Sequence, residues 1–193
     1  MNPFKSTTIA LAVCSSALAV LCLSGCSSSP RSSSMAEYSI QPKDSLIGNW
    51  KSTRGDIYTF SRATGHDLRI DVLRGDNLPA SPLKARVISI DNVSMLEVDF
   101  SGAPSQGSKP IPVYAYARVE SKDNILSYSP LNTQWLKNTV SGNPDITFSS
   151  AATVDPKAGG VVVRSPKAMA EILSRASKEP AAFTTPELMT RIN

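Results

Sequence analysis

The stretch DIYTFSRATGHDLRIDVLRG, residues 56–75, carries the residue pattern that decides the fold. Apolar side chains recur at every second position on both sides of Gly65, as Tyr58 and Phe60 before it and Leu68, Ile70 and Val72 after it. A period of two is typical of β-strands that turn one face to a core. Glycine tolerates the positive φ of a tight turn. The stretch therefore predicts an antiparallel β-hairpin.

The same alternation continues along the chain to residue 131. It recurs in segments 83–91, 93–100, 113–121 and 125–131, which polar turns or loops separate. The alternation changes phase near Ile88 and Ile90, and a β-bulge would explain that change. Together with the first hairpin, these segments predict six antiparallel strands. Segments 145–154 and 159–165 predict two more strands.

Helix signals occur only in the last third of the sequence. Asn132 or Thr133 is placed to cap a helix that begins TQWLKNTV. Ser165 followed by Pro166 predicts the start of a second helix, because proline is favoured at the first helical position. The tail TTPELMTRIN, residues 184–193, has a similar Thr-Pro opening and predicts a short final helix.

These elements predict a mostly β fold. An antiparallel up-and-down β-barrel of about eight strands, with a C-terminal α-helix, would leave no sheet edge exposed. The alternative is an open antiparallel sheet covered by the helix. The folded domain is predicted to span residues 44–193, which is long enough for one substantial core.

The first 25 residues have the composition of an export signal. Lys5 precedes residues 7–25, an uncharged run of apolar and small residues that is poorly suited to span a membrane. Leu23-Ser24-Gly25-Cys26 resembles the lipobox of bacterial lipoproteins. That resemblance implies cleavage before Cys26 and attachment of acyl chains such as palmitate to its sulfur. An ordinary secretory signal is the alternative.

Residues 26–43 contain the lipidated cysteine and a tether rich in serine and proline, which cannot bury enough surface to order itself. In the lipoprotein family an aspartate after the cysteine favours the inner membrane. Ser27 holds that position here, which implies a place in the cell envelope, at the periplasmic face of the outer membrane. The chain has 3 cysteines, and Cys14 and Cys22 would leave with the signal, so no disulfide is predicted.

Two motifs at opposite ends of the predicted sheet resemble lipocalins. Gly48 and Trp50 match the Gly-x-Trp that opens the first barrel strand in that family, and Arg164 follows the last apolar run. The resemblance implies that Trp50 closes one end of the barrel by packing against Arg164. A second interpretation treats Trp50 as an ordinary core aromatic. The chain also looks like a group of uncharacterised bacterial lipoproteins.

Catalytic and metal-binding residues are scarce in the predicted domain. The sequence holds 1 histidine, and His66 lies in the predicted hairpin turn, where an exposed turn residue is the simpler interpretation. Strand carboxylates occur at Asp71, Glu97, Asp99 and Glu120, with no spacing that favours a catalytic pair. The sequence therefore predicts a protein that is not an enzyme and that has no catalytic residues, metal site or cofactor.

The formal net charge of +4 is easily over-interpreted. The arginines of residues 54–74 are interspersed with aspartates at 56, 67, 71 and 76. A mixed, solvated face is expected from that pattern, and nucleic acid is not predicted as a partner.

Aromatic residues on the predicted strands are the candidate ligand-binding residues: Tyr58, Phe60, Tyr114, Tyr116 and Tyr128. Inside a barrel they would line a pocket for a small hydrophobic or amphipathic molecule, and otherwise they would fill the core. The sequence therefore predicts a membrane-anchored envelope lipoprotein that binds such a ligand without covalent chemistry. The alternatives are an envelope protein that binds another protein, as inhibitors and immunity proteins do, or one with a structural role.

Overall fold

The computed structural model describes residues 44–76, 80–100, 113–149 and 160–193. The predictions for residues 1–43, Cys26 among them, lie outside the described residues. The strands are β1 Gly48–Ser52, β2 Ile57–Arg62, β3 Leu68–Leu73, β4 Leu83–Ile90, β5 Val93–Asp99, β6 Val113–Lys122, β7 Ile125–Pro130, β8 Ile146–Ser149, β9 Gly160–Val163 and β10 Glu187–Ile192. The helices are α1 Thr133–Val140 and α2 Pro166–Lys178, with short 3-10 helices at Asp44–Leu46 and Pro180–Ala182.

Eight of these strands close into an antiparallel barrel. β1 to β7 follow one another around the wall, β10 fits between β7 and β1, and β5 also pairs with β6. The predicted lipocalin-like barrel with a helix near the C-terminus is therefore confirmed, and the open sheet is excluded. Ala85, Val87, Leu96 and Val98 are among the interior side chains.

The tail is a strand, so the predicted final helix is wrong. In β10, Met189 is buried while Leu188 and Thr190 are exposed, which is strand periodicity. The strand pairs on both sides, with Trp50 opposite Arg191 and Ser127 opposite Leu188. Two ladders of hydrogen bonds and a closed barrel outweigh the local helix signal of a Thr-Pro opening.

The phase change near Ile88 marks a wall buried on both faces, and the bulge considered from the sequence is absent there. The pairing of β4 with β5 runs without interruption from Lys84 opposite Asp99 to Ile90 opposite Val93. Ala85 and Val87 belong to the interior core, whereas Ile88 and Ile90 belong to a second core outside the barrel.

The second core lies between the barrel wall and an outer layer of α1, α2 and the β8–β9 hairpin. β9 pairs with the start of β6, at Val113 and Tyr114. The side chain of Asn132 accepts hydrogen bonds at the start of α1, and that of Ser165 does so at the start of α2. The predicted caps are thus confirmed. Buried residues of this outer core include Ile88, Met95, Tyr114, Tyr116, Leu136, Val161, Met169 and Leu173.

One end of the barrel is closed by Trp50, which is fully buried. Its Nε1 donates a 2.8 Å hydrogen bond to the carbonyl oxygen of Leu46, in the first 3-10 helix. The Arg191 guanidinium lies 4.4 Å from the centre of the Trp50 ring, in a cation–π contact. Arg191 also donates to the carbonyl oxygens of Ile47 at 2.8 Å and Ser45 at 2.6 Å. These contacts join the first and last strands of the barrel.

The pairing of Trp50 with Arg164 is therefore wrong. Arg164 follows β9, is exposed, and donates its backbone N–H to the carbonyl oxygen of Asp145. The strand that closes the barrel is β10, so the arginine that reaches Trp50 is Arg191. Gly48 has a positive φ of 132°, and a Cβ there would lie 2.8 Å from Nη1 of Arg191. The positive φ is one that L side chains rarely adopt, so the backbone here favours a glycine two residues before the tryptophan.

Arg191→Ala is expected to lower the free energy of unfolding by about 1–3 kcal/mol, because it removes the cation–π contact and two charge-assisted hydrogen bonds. Arg164→Ala should change it by less than about 0.5 kcal/mol, as is usual for an exposed side chain. Urea unfolding of both variants measures the difference. Equal losses for the two would contradict the assignment.

Candidate functional site

A cavity of about 230 Å³ occupies the end of the barrel opposite Trp50. Arg54 and Asp56, in the β1–β2 turn, and Arg74, after β3, belong to its rim. The floor is apolar and comprises Phe60, Ile70, Val72, Leu96, Val98 and Met189. The rim is polar and comprises Arg54, Asp56, Tyr58, Arg74, Tyr128 and Glu187.

Three of the five predicted aromatic residues line this cavity. Tyr58 and Phe60 reach it from β2, and Tyr128 from β7. The prediction that Tyr114 and Tyr116 belong to the same pocket is wrong, because both side chains lie in the outer core.

The inward positions of β6 are taken by small residues. Ala115 and Ala117 stand opposite Val98 and Leu96, which are interior residues. The outer layer provides an apolar environment for the larger tyrosines, which explains their orientation. The phase change at Ile88 was a sequence signal that the outer layer covers this part of the wall, since a wall buried on both faces does not alternate.

The charged rim residues form a small network. Nη2 of Arg54 lies 3.4 Å from Oε2 of Glu187, and its Nε lies 3.7 Å from Oδ2 of Asp56. Oδ1 of Asp56 accepts a 2.9 Å hydrogen bond from the backbone N–H of Gly75. Sequence reasoning missed this network. Its Glu187 belongs to the tail predicted as a helix, and Arg54 and Asp56 were interpreted only as part of a mixed, solvated face.

The charged groups of the rim shift the pKa of the Tyr58 hydroxyl. Burial raises the pKa of Tyr58, the carboxylates of Asp56 and Glu187 raise it further, and Arg54 lowers it by less. Negative charge therefore dominates at the phenol, although the rim contains both signs.

A second polar cluster lies on the outside of the barrel wall, within the part covered by the outer layer. Glu97 is 2% exposed, and its Oε1 lies 3.1 Å from Nε of Arg86. The Tyr116 hydroxyl donates a 2.9 Å hydrogen bond to Oε2 of Glu97. Glu97 stands opposite Arg86 on one side and Tyr116 on the other, so the strand register brings the three together.

The neighbouring Tyr114 should make the free energy of unfolding fall at alkaline pH. Burial, with the charges of Asp99 and Glu97, raises its pKa from 10.0 to about 12. Below pH 10 the phenol is protonated in both the folded and the unfolded chain. Between about pH 10 and 12 only the unfolded chain releases the proton, so stability falls by about 2–3 kcal/mol.

Tyr114→Phe is expected to remove that part of the fall, and urea unfolding from pH 8 to 12 measures it. The change at pH 8 gives the packing effect of the substitution and is subtracted. An unchanged alkaline slope would contradict the assignment to Tyr114.

The remaining polar candidates lie apart from the cavity. His66 is exposed in the β2–β3 turn. Asp71 lies on β3, where hydrogen bonds from Arg69 hold its pKa below the usual range. Within the described ranges, no group of three or more histidine, cysteine, aspartate and glutamate side chains is placed to hold a metal ion. None of the described helices combines the length and apolar character needed to cross a membrane.

No known protein family, curated protein or solved structure matches this chain. The features that bear on function are therefore the cavity, its rim and the motifs of the sequence. The cavity is the feature in which predicted site residues and observed geometry coincide.

Proposed function

We propose that this protein binds a small amphipathic molecule inside its barrel, without covalent chemistry. The observation that carries the proposal is the division of the cavity into an apolar floor and a charged rim at one end of the barrel. Burial of an apolar ligand body against Phe60, Ile70 and Val98 would contribute about 0.8 kcal/mol for each CH₂ removed from water. The rim would fix the polar end.

The size of the cavity supports a ligand much smaller than a phospholipid. At about 230 Å³ it exceeds the cavity of roughly 150 Å³ that is known to hold benzene in an engineered protein core. It falls below the roughly 300 Å³ at which pockets for drug-sized ligands begin. A single ring with a short polar arm, roughly ten non-hydrogen atoms, fits between these limits.

Native mass spectrometry of the protein purified gently from its own organism tests the proposal. We expect a retained small molecule in the wild type and its loss in Ile70→Trp, which fills the cavity floor. Leu188→Trp is the matched control, because Leu188 is 51% exposed on the outside of the barrel. Retention of the same molecule by Ile70→Trp would place its binding elsewhere.

We further propose that the protein is a lipoprotein of the cell envelope, anchored through Cys26 at the periplasmic face of the outer membrane. The four-residue lipobox supports this, and two acyl chains on one cysteine give stable anchoring. Metabolic labelling with a palmitate analogue should label the wild type and not Cys26→Ser. The first 3-10 helix contacts the Trp50 end of the barrel, and the cavity opens at the opposite end.

The contact of Trp50 with Arg191, together with Gly48, also supports a lipocalin-like origin for the barrel. In the lipocalin pattern the arginine belongs to the last barrel strand, and Arg191 of β10 has the corresponding position here. Lipocalin-like ancestry is consistent with ligand binding in the open end.

A further inference from the structure

Glu187 lines the cavity, and one of its two carboxylate oxygens is buried. It is the first residue of β10 and stands opposite Tyr128 of β7. Its Oε2 faces Arg54, whereas its Oε1 is buried and accepts no hydrogen bond from the residues that the structure describes. A buried acceptor without a donor is costly. Because Oε1 is buried, a hydrogen-bond donor on a bound ligand reaches it only when the Glu187 side chain turns toward the cavity, and that bond then removes the cost.

The positive and negative side chains of the rim differ in their exposure to solvent. The side chain of Arg54 is 55% exposed, whereas that of Asp56 is 20% and that of Glu187 25% exposed. Water therefore screens the guanidinium more strongly than the carboxylates. The raised pKa of Tyr58 agrees with this, since the carboxylates outweigh Arg54 at that hydroxyl. At the Tyr58 hydroxyl, on the rim, the balance of charge therefore favours a cation.

The walls next to Glu187 are aromatic. Tyr58 and Tyr128 line the rim, and Phe60 and Phe100 also line the cavity. Aromatic faces attract an ammonium group, and more strongly where water is excluded. A carboxylate with aromatic walls is a combination suited to an organic cation.

From these three observations we infer that the ligand is a small primary amine, whose ammonium group pairs with the Glu187 carboxylate, turned toward the cavity, while its apolar body fills the cavity floor. This inference rests on the proposed function and names the ligand class for the same site. An organic acid is the opposite possibility, since Arg74 is exposed at the rim. Its carboxylate would have to approach Glu187 and Asp56, and like charges repel.

Three compounds with one skeleton separate these possibilities: 2-phenylethylamine, 2-phenylethanol and phenylacetate. Each has roughly ten non-hydrogen atoms, as the cavity requires. The experiment titrates each compound into the full chain in lipid nanodiscs by calorimetry at pH 7, with empty nanodiscs as the blank. The amine should bind about 10–100-fold more tightly than the alcohol, because a charge-assisted hydrogen bond replaces a neutral one. Phenylacetate should bind most weakly.

Glu187→Gln keeps the shape of the side chain and removes its charge. It should weaken binding of the amine about 10-fold or more and change binding of the alcohol less than about 3-fold. Glu120→Gln, on the exposed face of β6, is the matched control and should leave both affinities unchanged.

The titrations of the wild type decide the inference even if the variant folds poorly. Binding of the alcohol with no advantage for the amine would overturn the inference and leave the proposed function standing. Tightest binding of phenylacetate would also overturn it. Equal weakening of amine and alcohol by Glu187→Gln would show that the charge of Glu187 does not select the ligand. Failure of all three compounds to bind would overturn the proposed function together with the inference.

Discussion

Trp50→Ala is expected to lower the free energy of unfolding by about 3–5 kcal/mol, the usual range for removal of a fully buried tryptophan. Trp50 fills the closed end of the barrel with 0% exposure and donates to the carbonyl oxygen of Leu46. The substitution leaves a cavity there and removes the ring that Arg191 covers. It also leaves that arginine without the aromatic surface on which it packs. The measurement is urea unfolding followed by circular dichroism.

Trp135→Ala is the matched control. Trp135 is half-buried on α1, where its Nε1 donates a 2.7 Å hydrogen bond to Glu179. Its loss should cost less than about 2 kcal/mol, because the side chain leaves its site partly filled by solvent. A loss at Trp50 no larger than that at Trp135 would mean that the closed end does not hold the barrel together.

The strand pattern was sufficient to predict the barrel because each strand has an inward face. Leu68, Ile70 and Val72 alternate with Arg69 and Asp71 in the sequence, and the structure buries the first set. The helix starts at Thr133 and Pro166 were predictable for a similar reason, since caps are local. Features that depend on neighbouring residues in sequence were thus well predicted.

Features that depend on residues distant in the sequence were not predicted. β10 is a strand because β1 and β7 lie on either side of it, and nothing within residues 187–192 reveals those neighbours. The same lack of information led to Arg164 in place of Arg191. Each lies next to an apolar residue near the end of the sequence, Arg164 after Val163 and Arg191 before Ile192, and only the order of strands distinguishes them.

The candidate site was predicted only in part, because some of its residues depend on partners that are distant in the sequence. Tyr58 and Phe60 belong to a strand whose inward face was clear, so they were placed correctly. Tyr114 and Tyr116 were not, because β6 is buried on both faces and its pattern does not say which face is interior. Glu187 could not have been found without the correct assignment of the tail.

Arg86→Ala is expected to lower the free energy of unfolding by about 3 kcal/mol. Glu97 is 2% exposed, and Arg86 is its partner at 3.1 Å. Without the guanidinium a carboxylate stays buried with its charge uncompensated, a change that costs about 3–5 kcal/mol in fully buried pairs. The lower end of that range applies because Arg86 is 18% exposed, so water would enter its place.

The double variant Arg86→Met with Glu97→Gln separates charge from packing. It removes both charges, and the amide of the introduced glutamine can still accept the hydrogen bond of the Tyr116 hydroxyl. We expect it to recover at least half of the stability lost in Arg86→Ala, because a buried pair replaced by neutral groups is often close to neutral in stability. Arg69→Ala breaks an exposed pair with Asp71 at 2.7 Å and should lower stability much less than Arg86→Ala does, because water screens an exposed pair. If the double variant is no more stable than Arg86→Ala, the loss of stability comes from packing against the outer layer. The charge of Glu97 would then be stabilised sufficiently by its other neighbours.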